Sequence, residues 1–263
     1  MKSLIYSEFE RLWTRKWVWL VFLGIPVIAY CLANYFAWIN HSVSPNSMNY
    51  TFSNKLMFVG LRELLPIICN FVLLPFVATI FTEDYYSGRM RLLFIRQYSK
   101  GQIFAGKIIV LYLTILLLLL SFGICLMIMG IIKLPSQHSA LIASDTLQQY
   151  ALAFATLIGL SSLLSSIAMF SKNVTYSIGI GLSYIIIPLI FERLIYDIGA
   201  SMPPLVNNAI ALIFIPLMQK NGIDHVLLGN NLVLLFISII LIIHVSIGTW
   251  IAYRRFIYED YAH

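Results

Sequence analysis

A few groups of residues have the types and spacing that chemistry could use. Gly101, Gly106 and Lys107 match the first seven positions of a phosphate-cradling loop, in which backbone N–H groups and a lysine hold a nucleotide's phosphates. The eighth position of such a loop is Ser or Thr, which reaches a magnesium ion, and a strand before the loop aims it. Ile108 stands there instead and opens a long apolar stretch, so no nucleotide site is assigned to this segment. His244 is the one histidine well inside an apolar run, where packing or hydrogen bonding, contact with substrate on a path or gate, and catalysis are the readings, in that order. No acidic or histidine partner accompanies it, and Cys31, Cys69 and Cys125 lie in apolar stretches without metal or disulfide spacing. No catalytic residue and no metal ligand is therefore assigned. Arg62 with Glu63 and Glu192 with Arg193 stand at the ends of apolar stretches. They are either an outer gate on a path or solvated ion pairs that anchor span ends, contributing about 0 to 1 kcal/mol each.

The elements that carry these residues follow from composition. Of the 263 residues 60% are hydrophobic and only 11% charged, and the mean hydropathy is +0.87. Soluble chains carry about 25% charged residues, so the deficit means that lipid faces most of the surface. The expected fold is an all-α polytopic membrane protein, a single domain over residues 1–263. Six spans are read: about 17–38, 64–81, 108–132, 147–170, a fifth ending near Glu192, and 232–252. Residues 39–62 are polar and read as an outer loop. The fourth span is rich in small residues, Gly159 with Ser161, Ser162, Ser165 and Ser166, and is a candidate for close helix packing. No cleavable signal pattern is seen, because Glu8 and Glu10 interrupt the early basic run and no small-residue site follows the first apolar stretch.

Two further segments do not span. In residues 1–16, Ile5, Phe9, Leu12 and Trp13 recur on one helical face beside Lys2, Arg11, Arg15 and Lys16, which suits an amphipathic helix in the headgroup layer; an extension of the first span is the other reading. Glu8 is a blemish on that face. In residues 197–230 the apolar piece from Leu205 to Met218 is about two-thirds of the roughly 20 residues a span needs. Pro203, Pro204 and Pro216 interrupt it, so an outer re-entrant segment is expected between spans five and six.

The longest charged, turn-rich stretch is 81–107, between the second and third spans. Ser87 and Gly88 break the chain, and Met90, Leu92, Leu93, Phe94 and Ile95 alternate with Arg89, Arg91 and Arg96 as in a short surface helix. Ser99 and Gln102 then have capping-box spacing, which would start the third span. The order Glu83, Ser87–Gly88, Leu92–Leu93, Ser99–Lys100 and Gly106–Lys107 resembles the cytoplasmic loop of the permease subunits of type-2 ATP-binding-cassette (ABC) exporters. The chain has Arg89 and Met90 where that family usually has Thr-Leu, and Tyr98 where it usually has Pro. The interfacial helix, six-span layout, re-entrant segment and aromatic-basic-acidic tail extend the resemblance over nearly the whole chain.

The resemblance implies that residues 82–104 form a cytoplasmic coupling loop, with Glu83, Gly88, Arg89, Arg91, Leu92, Leu93 and Phe94 docking on an ATPase subunit. It also implies two ABC ATPase subunits, which bind the ATP and magnesium that this chain does not, and a second permease, identical or homologous. The transported molecule would be amphipathic or hydrophobic: a peptide antibiotic, toxin, drug or lipid-linked molecule. Membrane lipid is the other partner, and nucleic acid is not one, because the net charge of +6 is accounted for by topology. The alternative class is an ATP-independent channel or scaffold subunit. With both termini cytoplasmic, twelve basic residues face inward against Lys55, Arg62, Lys133, Arg193 and Lys220 outside, as the positive-inside rule asks. Single cysteines at 45, 138 and 220 in a cysteine-free background should therefore react with an impermeant thiol reagent in intact cells. Those at 89, 172 and 258 should not, and the reverse pattern would invert the topology.

Overall fold

A backbone surrounded by lipid must satisfy its N–H and C=O groups within one segment, and helix is the regular structure found among the described residues. The computed structural model describes residues 2–42, 50–64, 69–86, 98–135, 141–171, 173–194, 214–219 and 231–258. In chain order the helices are α1 (Lys2–Trp13), α2 (Lys16–Ser42), α3 (Ser53–Leu64), α4 (Asn70–Tyr86), α5 (Lys100–Lys133), α6 (Leu141–Ser171), α7 (Val174–Ile190) and α8 (Asn231–Tyr258). Four of them, α2, α5, α6 and α8, are long and apolar enough to cross a membrane. The apolar helices Asn70–Thr82, within α4, and Val174–Ile190 are shorter.

Two departures from the sequence reading have physical causes. Residues 39–62 are not simply a loop: α2 runs on to Ser42, and Ser53–Leu64 is a helix that lies on α5. At Gly130 a Cβ would sit 2.9 Å from the Ser53 carbonyl oxygen, so a residue without a side chain lets the start of α3 press on the end of α5. Asn40 ties the connection, its amide donating to the Thr51 carbonyl at 2.7 Å and accepting from the Thr51 N–H at 3.0 Å. Of the expected second span, 64–81, the described part is Leu64 at the end of α3 and residues 69–81, which enter α4 at Asn70; residues 65–68 lie outside the described residues. The connection read as 82–104 is also shorter, because α4 continues to Tyr86 and α5 begins at Lys100. Ser99 caps α5 as its spacing predicts: its Oγ accepts from the Gln102 N–H, and the Gln102 side chain accepts from the Ser99 N–H, both at 3.2 Å.

Burial orders the bundle. In the most apolar window of α6, 61% of residues are buried, against 17% in α2 and in α8, so α6 is the central helix and the other two are peripheral. Large apolar side chains such as Leu20 and Leu23 on α2, Ile124 and Ile131 on α5 and Ile242 on α8 are exposed, the arrangement expected of a lipid-facing surface. Of the expected re-entrant region 197–230 only 214–219 are described: a helical turn over 215–219, buried throughout. It is fastened to α4 by a reciprocal amide pair, Asn70 to Gln219 at 2.7 Å and Gln219 to Asn70 at 3.0 Å, with both residues fully buried.

The small residues of α6 meet α8. Gly159 faces Leu241, and the Ser162 hydroxyl donates to the His244 carbonyl at 3.2 Å, so moving along both helices in the same direction keeps them in register and they run parallel. The tightest point is Gly248, where a Cβ would lie 2.8 Å from the Ser162 carbonyl carbon. Because the obstacle is backbone, a larger residue can only be accommodated by separating the helices. Gly248→Leu should lower stability by about 1 to 3 kcal/mol, read as a drop in midpoint of thermal unfolding in detergent. Gly179→Leu, at a position with no atom within 4 Å of an added Cβ, should leave the midpoint unchanged.

Candidate functional site

The end of the bundle from which residues 87–97 emerge is built from four elements. α5 enters it through Lys100, Ile103, Phe104 and Lys107, and α4 leaves it through Ile80, Phe81 and Thr82. α8 ends there with Ala252 and Phe256, and α1 lies across it. Phe104 is the common neighbour: its ring centroid is 5.9 Å from that of Phe81, 5.4 Å from Tyr253 and 5.6 Å from Phe256. Lys100 Nζ donates to the Ile257 carbonyl at 2.8 Å, satisfying one of the carbonyls that the last turn of α8 leaves without an intrahelical partner. Ser3 Oγ and the Tyr98 hydroxyl are 2.9 Å apart, so α1 also touches the residue just before the α5 cap.

Charge lies at the centre of this junction. Lys107 is fully buried, and its Nζ donates to the Ile80 carbonyl at 2.9 Å and lies 3.4 Å from Glu8 Oε2. Glu8 is itself only 5% exposed, and the same oxygen accepts from Arg11 Nη2 at 2.6 Å. One ammonium thus joins α5 to the last turns of α4 and to α1, across both roots of the 87–97 segment. An ammonium or carboxylate taken out of water alone costs several kcal/mol, and mutual pairing with added hydrogen bonds is what makes the arrangement tolerable.

The sequence reading missed this pair. Glu8 reads as a blemish on an apolar face, and Lys107 reads as the basic bracket of a span and the lysine of a false phosphate loop. The signal is present in the spacing: Leu4, Glu8 and Leu12 are one face at intervals of four, and all three are buried. The face read as apolar, Ile5, Phe9, Leu12 and Trp13, includes only one buried member, Leu12. Phe9 and Trp13 are half-buried and stack on each other at 5.6 Å, and Trp13 stacks on Phe22 of α2 at 5.0 Å and meets Trp19 edge-on at 5.2 Å. The Trp19 indole N–H also donates to the Trp13 carbonyl at 2.9 Å. α1 therefore packs on protein along two sides.

Of the other sequence-derived candidates, Glu83 lies in the last turn of α4, while Gly88, Arg89, Arg91, Leu92, Leu93 and Phe94, with the surface helix read over them, lie outside the described residues. Arg62 and Glu63 fall in the last turn of α3, half-buried and exposed respectively. Glu192 and Arg193 follow the C-cap of α7 at Phe191. His244 is half-buried in mid-α8, with Nδ1 2.8 Å from the Ile240 carbonyl oxygen, and about 18 Å along the helix from the junction at Phe256. The junction thus gathers Phe9, Leu12 and Trp13 but not His244.

The comparisons with known proteins bear on what this junction serves. Residues 4–188 match the family model described as ABC-2 family transporter protein, which takes in α1, the junction residues of α4 and α5, the central helix α6 and most of α7. No curated protein matches the chain. Phe104, only 4% exposed and ringed by three aromatic neighbours, holds the junction together by packing. Phe104→Ala should destabilise the protein by about 3 to 5 kcal/mol, seen as a lowered unfolding midpoint in detergent. Tyr6→Ala on the open side of α1, at a residue 70% exposed, should shift stability by no more than about 0.5 kcal/mol.

Proposed function

The chain belongs to the ABC-2 transporter family and is a membrane permease component of an ABC transporter, and from that premise we propose that it is the permease half of an ATP-driven exporter. ATP and magnesium are held by two separate ATPase subunits. A second permease, identical or homologous, completes the translocation path. The segment 87–97 docks on the ATPase, with Leu92, Leu93 and Phe94 as apolar anchors, Arg89 and Arg91 at the polar rim, Glu83 at its root and Gly88 permitting the turn that presents them. Closure of the ATPase dimer displaces the segment, and the spans respond as a rigid body between two states. The cargo is amphipathic or hydrophobic, in keeping with a chain that is only 11% charged.

The observation that carries this reading is the construction of the junction. Both roots of the segment are locked to α1, α4, α5 and α8 through Lys107, Lys100 and Phe104, so a push on the segment is a push on four helices at once. A simple link between spans needs no such anchorage. The topology of the proposal is six crossings with both termini cytoplasmic. It is supported by the parallel pairing of α6 and α8, which requires an odd number of crossings between them, and α7 supplies one. Lys16, Lys100, Lys107, Arg254 and Arg255 fall at the junction end, as a cytoplasmic face requires.

The test is to purify the permease with its ATPase. Leu93→Ala and Phe94→Ala should each remove about 1 to 3 kcal/mol of burial from the docking surface, and Gly88→Val should misplace it. Membrane insertion should be unchanged, while ATPase association or transport per ATP falls. Variants that retain wild-type association and transport would instead favour an ATP-independent channel or scaffold.

A further inference from the structure

We propose that the Glu8–Lys107 contact is a releasable latch, so that Glu8 and Lys107 are positioning residues that pass movement of the 87–97 segment into α1. The inference deepens the coupling reading above and rests on it. It begins with an excess: both charges are buried, Lys107 fully and Glu8 to 5% exposure, where an apolar pair of similar volume would hold α1 on α5 equally well or better. Packing alone does not call for charge at this place.

The distances show which contact gives way. Glu8 Oε2 is 2.6 Å from Arg11 within its own helix but 3.4 Å from Lys107 across the helix boundary. Lys107 in turn holds the Ile80 carbonyl at 2.9 Å. When α1 and α5 part, Glu8 keeps its arginine, whose side chain is 21% exposed, and Lys107 keeps the Ile80 carbonyl. Parting costs free energy, because the buried ammonium loses its carboxylate, so the closed contact is the resting state and opening needs work done on the junction. Beside the ion pair, Leu4 of α1 packs closely over Gly106 of α5, where a Cβ would sit only 3.1 Å from Leu4 Cδ2, so the two helices approach there side chain to backbone. On its other side α1 is fixed to α2 by the Trp13–Phe22 stack and the Trp19–Trp13 hydrogen bond, so on release it moves with α2.

The experiment uses the permease–ATPase complex in lipid nanodiscs, on a background with Cys31, Cys69 and Cys125 replaced by serine. Leu4→Cys with Gly106→Cys places two thiols where the chains approach, and oxidation should pin α1 to α5. The oxidised form should keep its ATPase while transport falls about tenfold, and a reductant should restore it. In parallel, Glu8→Gln and Lys107→Gln should each lower transport per ATP about five- to tenfold at equal amounts of folded protein, with the double variant no worse than either single. Lys107→Arg should retain most of the activity. Undiminished transport in the oxidised form, additive losses in the double variant, or a lowered unfolding midpoint with unchanged transport per ATP would each reduce the contact to packing and overturn the proposal, leaving the coupling reading intact. Failure of any ATPase to copurify with the parent protein would overturn the coupling reading itself, and the latch with it.

Discussion

The junction end of this protein is organised by one ammonium group that has no access to water. Lys107 sits about two turns inside a long apolar helix, and because it is fully buried its charge must be answered by protein. Among the groups that answer it are the Ile80 carbonyl and the Glu8 carboxylate, which belong to two other helices. Satisfying one charge therefore draws α1, α4 and α5 to a point. The Ile80 carbonyl precedes the last four of α4, so it accepts from Lys107 through the lone pair that the intrahelical bond leaves over.

The middle of the bundle follows a different rule. Lipid offers no hydrophobic force to drive one apolar helix onto another, so close association depends on how nearly backbones can approach. α6 meets this condition with Gly159 and Ser162, and α8 with Gly248, whose missing side chain lets it rest on the Ser162 backbone. The serine hydroxyls are satisfied mainly within α6: Ser161, Ser165 and Ser166 each donate to a carbonyl one turn back, and Ser162 lies within reach of both the Gly159 carbonyl of its own helix and the His244 carbonyl of α8. Where α6 and α8 diverge from this contact, a groove of about 700 Å³ opens, lined mainly by apolar residues such as Leu152, Ala155, Leu234 and Leu241.

These two constructions together form a continuous line of contact through the bundle. The junction joins the roots of the 87–97 segment to α8 through Lys100 and Phe256, and α8 is in turn locked to α6 at Gly248. The proposed coupling would run to the central helix along these contacts, which are hydrogen-bonded or packed against backbone. Arg255, stacked 5.7 Å over Phe170, adds a second link between the same ends of α8 and α6.

Much of this was legible in the residues alone. Composition and the lengths of the apolar runs determine a helical membrane protein, because the bilayer permits few other folds. Local chemistry determined the start of α5, since a Ser–x–x–Gln capping box needs only its own four residues to form. The small residues of the fourth span marked a packing face, although not its partner. What a one-dimensional reading could not supply is anything that depends on which helix lies opposite. Glu8 reads as a flaw until Lys107, 99 residues away, is placed against it. The polar run at 39–62 reads as a loop until α5 offers Gly130 as a seat for Ser53–Leu64. Spacing along a chain records the period of a face, and so the sequence determined the elements; the identity of the surface that each face meets, and with it the meaning of a buried charge, was decided only when the helices packed.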